Sequence, residues 1–354
     1  MKKLLCIFFS VLTLICSTFF ASCSPEGDYA DFYNFTTEIH VEVYEGKLSN
    51  QTREQISSIL NQLENDFSVN RQNSLTARFN SLSVGESITL TEREKQVFTY
   101  AQSQFQFTEG AFNPAVYPLS VLWGFAPSFD KNNFNRPNEG QIQDLLSSGT
   151  TNFENAYALS NNLLTKTLEG AKIDFGGIVK GYACDLISNI LTEQGFNNGY
   201  INVGGSSLRL LNVSSLGISH PRKSGQIISI DKQLKNLSVS TSGDYQKYFA
   251  NQDVRYCHII DANTGAPITT GIQSATVIMP DGTIADALST ALCVFKYSQN
   301  DDTLTPFMNK ILLEYPTAKL FVVLQNQEGK FIITNQKKGE DFTLLDNTYT
   351  VVEI

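Results

Sequence analysis

Lys172-Ile173-Asp174-Phe175-Gly176-Gly177-Ile178-Val179-Lys180-Gly181-Tyr182-Ala183-Cys184-Asp185 decides how the rest of this chain is read. Its first residues form a short apolar strand, two adjacent glycines follow, and the remainder opens a helix. Ile178, Tyr182, Leu186 and Ile190 recur at helical spacing, and Gly195 supplies the stop. Glycines at a strand-to-helix turn let backbone groups come close to a ligand. The helix start offers unpaired N–H donors and a partial positive charge, to which Lys180 adds a full one. A tight turn into a packed helix and a phosphate-binding turn both fit this stretch taken alone. The rest of the chain has to separate them.

Upstream, Ile39, Val41 and Val43 alternate with Glu38, His40 and Glu42, which predicts a half-buried strand over 37–44 with His40 on its polar face. Ile56, Ile59, Leu60, Leu63 and Phe67 make one face of a helix starting near Thr52. Thr91-Glu92-Arg93-Glu94 has the form of a capping box for a helix reaching Phe107. Residues 126–139, rich in Pro, Asn and Asp, read as a surface loop. A short helix over 141–146 and strands over 156–160 and 163–168 lead to the glycine turn. Beyond it, strands are expected over 199–211, 226–231, 236–240, 255–260 and 272–279. Helices follow over 284–295 and 303–314, then a hairpin over 318–325 and 330–334. Strands arriving in hairpin-like pairs, with helices between groups, predict an α+β fold: largely antiparallel sheets flanked by helices, two intimate lobes in one domain over 32–354.

Lys2 and Lys3 precede an apolar run from Leu4 to about Phe20, and Ala21-Ser22-Cys23-Ser24 comes next. A basic start, a short apolar core and small residues make an export signal. The cysteine placed directly after them resembles a bacterial lipobox. Residues 1–22 are then a lipoprotein signal peptide, Cys23 the lipidated first residue, and 23–31 a polar tether. An ordinary signal peptide or an uncleaved anchor is the alternative. Acyl chains bury CH₂ groups at about 0.8 kcal/mol each, so the expected product is an exported lipoprotein, held by lipid on the periplasmic face of the inner membrane. Cys6 and Cys16 leave with the signal. Cys184, Cys257 and Cys293 remain, scattered in apolar segments without a C-x-x-C or Cys/His cluster, and read as buried thiols. A net charge of −9 with no basic tract argues against nucleic acid as a partner.

Two more segments offer chemistry. Asp286 and Thr290, four apart, share one face of a helix and present a carboxylate and a hydroxyl in one direction. Such a pair serves either as helix capping or as half of a magnesium site, which takes oxygen ligands and completes itself with water and phosphate. His258 ends a strand before Asp261-Ala262-Asn263-Thr264-Gly265, where it is either structural or a general base near neutral pH. His220, before Pro221, reads as structural.

The ordered set is more specific than any member. Gly110-Ala111-Phe112-Asn113-Pro114 with Leu122-Trp123-Gly124-Phe125 comes first, then the glycine turn, then Ser240-Thr241-Ser242-Gly243-Asp244-Tyr245. His258 to Gly265 and Ala285 to Thr290 complete the series, with Ser74 to Asn80 and Asn202-Val203-Gly204-Gly205 as further matches. From about Tyr33 to the C-terminus the chain resembles the ApbE family of FAD:protein FMN transferases. That resemblance implies a magnesium-dependent enzyme that splits the pyrophosphate of its substrate FAD. It passes FMN to a threonine of an exported flavoprotein and releases AMP. It implies a metal held by Asp286, Thr290 and the Gly177 carbonyl, with Ser289 where some members place a second carboxylate. FAD contacts would come from Ala111, Phe112, Asn113, Asp174, Lys180 and Ile260, and His258 would activate the acceptor hydroxyl.

Two positions depart from the family pattern. Phe35, in Phe35-Thr36-Thr37, stands where the family has the methionine of Met-Gly-Thr. Asn70 stands where many members carry a tyrosine that lies on the flavin ring. Losing such a stacking partner costs on the order of 1–3 kcal/mol. In some members, notably treponemal lipoproteins, an asparagine here goes with hydrolysis of FAD to FMN and AMP. An FAD diphosphatase, alone or alongside transfer, is therefore the alternative activity, and a non-catalytic FAD-binding lipoprotein the alternative of a different class.

Overall fold

The computed structural model describes residues 26–251 and 254–354. The expected export signal and the expected lipidation at Cys23 fall outside the described residues. Nine strands form the main sheet: β1 (Asp28–Asn34), β2 (Thr37–Val43), β3 (Gly199–Val203), β4 (Ser207–Val213), β5 (Leu234–Gly243), β6 (Ile272–Met279), β7 (Lys319–Asn326), β8 (Gly329–Thr334) and β9 (Thr350–Glu353). They lie side by side in chain order. Neighbours are antiparallel throughout except for the parallel pair β8 and β9.

The side-chain period of two sends alternate residues to opposite faces. Leu320, Val322 and Leu324 of β7 join one core, and Phe321 and Val323 join another. Every residue of β6 is buried, including Gln273, Ser274 and Thr276, and Gln273 and Thr276 are hydrogen-bonded to Gln325 and Thr241. On the first face lie α1 (Asn50–Phe67), α2 (Glu92–Phe107), α3 (Val179–Glu193), α4 (Gly282–Leu292) and α5 (Leu304–Glu314), sharing the larger core. The second face is covered by a small sheet of residues 216–219, 226–230 and 343–344. The two expected lobes are thus two layers on opposite faces of one sheet. A third cluster gathers Trp123, Phe125, Phe249 and Ile260 around the 126–139 loop.

Local signals behave as read. The capping box opens α2, with Glu94 N–H donating to Thr91 Oγ1 and Thr91 N–H to Glu94. Cys184, Cys257 and Cys293 are buried free thiols, and His220 is buried with its Nε2 3.1 Å from Asp346. Three expectations need correction. The tether read over 23–31 is shorter, because Asp28 to Asp31 already pair with β2. The strand read over 199–211 is two strands, since Gly204 and Gly205 turn the chain back between β3 and β4. The strand read over 255–260 ends at Cys257, and Ile260-Asp261 pairs separately with Ala266-Pro267.

Candidate active site

The site is built where α3 crosses α4. A Cβ on Gly181 would fall 1.9 Å from the Gly282 carbonyl oxygen and 2.9 Å from Asp286 Cβ, so only glycine permits this approach. The contact brings the Gly181 N–H to Asp286 Oδ2 at 3.1 Å, while Ser207 Oγ donates to Oδ1 at 3.2 Å. Lys180 Nζ donates to the Gly176 carbonyl at 2.9 Å and stands 3.7 Å from Asp286 Oδ2. Asp286 is only 3% exposed. A buried carboxylate is stable only when paired and hydrogen-bonded, and here it is both.

One turn on, Thr290 Oγ1 lies 3.1 Å from Ser242 Oγ at the end of β5. A Cβ on Gly177 would stand 3.7 Å from Thr290 Oγ1 and 3.2 Å from the Phe112 ring. Gly177 and Thr290 therefore border one small space that a side chain at Gly177 would fill. The side-chain oxygens at hand are a carboxylate and a hydroxyl, both hard ligands that suit magnesium. Among the described residues no three His, Cys, Asp or Glu side chains form a metal cage. A cation here would need substrate oxygens to complete its shell, which is the usual manner of magnesium at phosphates.

Asp174 and His258 complete the arrangement. Asp174 N–H donates to the Pro114 carbonyl at 3.0 Å, and its Oδ1 accepts from Gly176 N–H at 3.0 Å. Burial pushes the Asp174 carboxyl above its ordinary range, against the pull of the Gly176 N–H, Lys180 and Lys247. His258 follows a hairpin of residues 248–251 and 254–257, and its N–H donates to the Lys247 carbonyl at 3.0 Å. Its Nδ1 stands 3.3 Å from the same oxygen. Burial first, and then the Lys247 charge, push His258 down to about 4. At neutral pH it is an uncharged base. With Nδ1 turned to a carbonyl, Nε2 is the nitrogen left to accept a proton.

The ApbE family profile matches residues 35–311. The chain belongs to the ApbE family. Among curated relatives, the FAD:protein FMN transferase of Vibrio cholerae is 30% identical over 248 residues, 68% of this chain and 72% of that one. The FAD:protein FMN transferase of Treponema pallidum is 28% identical over 276 residues, 72% of this chain and 74% of that one. Among solved structures, the flavin transferase ApbE from Vibrio cholerae superposes with a TM-score of 0.75 at 24% identity, covering 87% of this chain and 97% of that one. The ApbE protein from Thermotoga maritima gives 0.71 at 30% identity, covering 84% and 94%.

In this ApbE protein the residues expected at the site divide by what their side chains are free to do. Gly177, Lys180, Asp286 and Thr290 converge, with Asp174 on the same glycine turn. Ser289 is fully buried, and its hydroxyl is engaged by the Asp286 carbonyl and Ser242 Oγ, both at 2.9 Å. It braces α4 against β5. Asn113 has both ends of its amide engaged inside the protein, by Ala115 N–H and by the Thr151 carbonyl. Phe112 is buried with its ring against Gly177, and Ile260 is buried in the Trp123 and Phe249 cluster. Ala111 is half-buried. Asn70 is exposed beyond the end of α1. Phe35 sits half-buried in the two-residue turn joining β1 to β2, at a φ of 54°, next to Thr36 at 59°.

No sequence motif singles out Ser207 or Lys247, and Ser242 enters only as a member of Ser240 to Tyr245. Ser238, Ser240 and Ser242 alternate along β5, and that period of two is the signal that places them on one face. Ser207 pairs with Ser240 across strands β4 and β5, which only the register reveals.

Proposed function

We propose that this ApbE protein is a magnesium-dependent FAD:protein FMN transferase. It splits the FAD pyrophosphate, joins FMN to a threonine of an exported flavoprotein and releases AMP. The observation that carries the reading is the meeting of Asp286, Thr290 and Gly177 at the α3–α4 crossing, with Lys180 beside them and the neutral His258 near Lys180 and Lys247. Magnesium, held by the Asp286 carboxylate, the Thr290 hydroxyl and the Gly177 carbonyl, would supply positive charge to pyrophosphate oxygens.

The chain's own groups account for the remainder. Lys180 and Lys247 offer cations to the phosphates, and the N-terminal end of α3 adds its N–H donors. His258 Nε2 takes the proton of the acceptor hydroxyl. The threonine oxygen then bonds to the FMN phosphorus as the bond to the bridging oxygen breaks. That oxygen leaves with AMP. Ser207, Ser289 and the Gly181 N–H fix the metal-binding face of α4 without touching substrate.

The exposed Asn70 favours hydrolysis as an accompanying reaction. It provides no ring to cover the flavin, and water would then compete with threonine. Lipidation at Cys23 and a position on the periplasmic face of the inner membrane complete the proposal. The test is product analysis of FAD with magnesium, with and without a threonine-containing acceptor, followed by flavin fluorescence on a denaturing gel. Fluorescent acceptor with stoichiometric AMP supports transfer. Free FMN and AMP with no labelled acceptor would leave the diphosphatase, and intact FAD bound through repeated magnesium addition would leave a binding protein.

A further inference from the structure

The carboxylate that ends the opening stretch, Asp185, has no part in the chemistry above, yet it is among the most heavily bonded side chains near the site. It lies on α3 one turn after Gly181. Its Oδ1 and Oδ2 each stand 3.0 Å from the Gly282 N–H, and Oδ2 also accepts from the Thr283 N–H and the Thr283 hydroxyl, both at 3.0 Å. Ser238 Oγ donates to Oδ1 at 3.3 Å, and Arg209 stands 3.7 Å away with a second contact to the Pro280 carbonyl. The donors Gly282 and Thr283 are the first residues of α4, whose N–H groups have no partner within their own helix.

Asp281, the residue preceding α4, caps it in the ordinary local way by accepting from Ile284 N–H at 2.8 Å. Asp185 is therefore a second cap, supplied by a different helix. Across the same crossing, Asp286 of α4 accepts from the Gly181 N–H of α3. The two helices hold each other reciprocally: a carboxylate on each grips backbone N–H of the other, four residues apart on both. One half of this double clamp is Asp286, the carboxylate of the proposed magnesium site.

We propose that Asp185 is a positioning residue for the reaction: by gripping the first turn of α4 it sets where Asp286 and Thr290 stand relative to the Gly177 carbonyl. It touches neither substrate nor metal. This rests on the magnesium-site reading, and it adds a distinct requirement. Losing Asp185 should loosen the metal half-site while leaving the proposed FAD contact at Asp174 in place, because Asp185 bonds to the first turn of α4 and not to the glycine turn. The kinetic signature is a raised magnesium requirement and a lowered kcat, with KM for FAD little changed.

The test compares the full-length protein with Asp185→Asn, Asp185→Glu and Thr283→Val, measuring FAD cleavage against magnesium concentration and magnesium binding by calorimetry with FMN or AMP present. Asp185→Asn should raise the half-saturating magnesium concentration about tenfold and lower kcat at least as much, with KM for FAD within about threefold. Thr283→Val removes one donor and leaves the carboxylate, so it should move the magnesium requirement in the same direction by a smaller factor. It serves even if Asp185→Asn does not fold. Asp185→Glu keeps the charge at a longer reach and should restore part of the loss. A folded Asp185→Asn protein with unchanged magnesium dependence overturns the proposal, as does an unchanged requirement in Thr283→Val when Asp185→Asn cannot be purified. If wild-type protein cleaves FAD with no magnesium at all, the metal reading itself falls, and that outcome is visible before any variant is compared.

Discussion

Gly181→Ala is the substitution that most directly probes the α3–α4 crossing, because local and tertiary reasoning give it opposite signs. Judged by helix propensity alone, alanine inside a helix is better than glycine by about 1 kcal/mol. The tertiary contact says otherwise. The new Cβ would sit 1.9 Å from the Gly282 carbonyl oxygen, whereas ordinary non-bonded contact needs roughly 3.5 Å. α3 and α4 would have to part by about 1.5 Å to restore that contact. Overpacking of this kind costs about 1–3 kcal/mol. Parting the helices also breaks the Gly181 N–H bond to Asp286, and a hydrogen bond to a charged group contributes about 1.5–3 kcal/mol. Subtracting the propensity gain leaves a net loss of about 2–5 kcal/mol. For a domain of this size that is a fall in Tm of roughly 3–7 °C. Thermal and urea unfolding of the purified domain would measure it, with magnesium-dependent AMP release followed in parallel. A Gly181→Ala protein as stable as the parent would show that the crossing is looser than described, and the argument for glycine there would be wrong.

Four other outcomes are expected. Asp286→Ala should abolish AMP release from FAD, and persistence of release within about tenfold of wild type would place the metal elsewhere. Because desolvation and Lys247 hold the half-buried His258 down to about 4, the acid limb of kcat/KM should lie near pH 4, and activity should be level from pH 6 to 8; a limb near the free-imidazole value of about 6.5 would show that water reaches the ring. The same depression has a stability consequence. The unfolded chain binds a proton at His258 near pH 6.5 and the native one only near pH 4, so stability is full above that window and declines as pH falls through it. Thr36→Gly should stabilise the protein by about 1 kcal/mol, since a β-branched residue at φ 59° carries left-handed strain of about 1–2 kcal/mol, offset in part by glycine's larger entropy loss. Urea midpoints at constant m-value would register the gain, and a lower midpoint would mean that the turn is held by something other than its backbone.

How much of the site could be read before folding varies residue by residue. Asp286 and Thr290 announce themselves because helical spacing fixes which residues share a face whatever surrounds them. The glycine turn is legible for the same reason, as is the capping box at Thr91. The sequence reads His258 as ending a strand before a turn, and the strand stops one residue earlier at Cys257; the pressure on its protonation comes from desolvation and from Lys247, which no local pattern shows. Ser289 and Asn113 show the converse. Their positions in the motifs suggested ligand contact, and the fold instead directs their polar atoms inward, to Ser242 and to the Thr151 carbonyl. The early strand Asp28–Asn34 is hard to read because its exposed face carries Tyr29 and Tyr33 while small Ala30 and polar Asn34 point inward, and it pairs at the sheet edge, where little apolar pattern is required.

Sequence by itself determined the α+β class, the helix and strand faces, the caps and the family, because each is written in periods of two to four residues or in ordered short motifs. Tertiary structure alone decided that Gly181 must meet Gly282, that Asp185 and Asp286 grip opposite helices, and that Ser207 stands behind Asp286. Those contacts join residues dozens of positions apart through the register of a nine-stranded sheet. No local pattern encodes that register, since it follows from which faces the whole chain can bury at once.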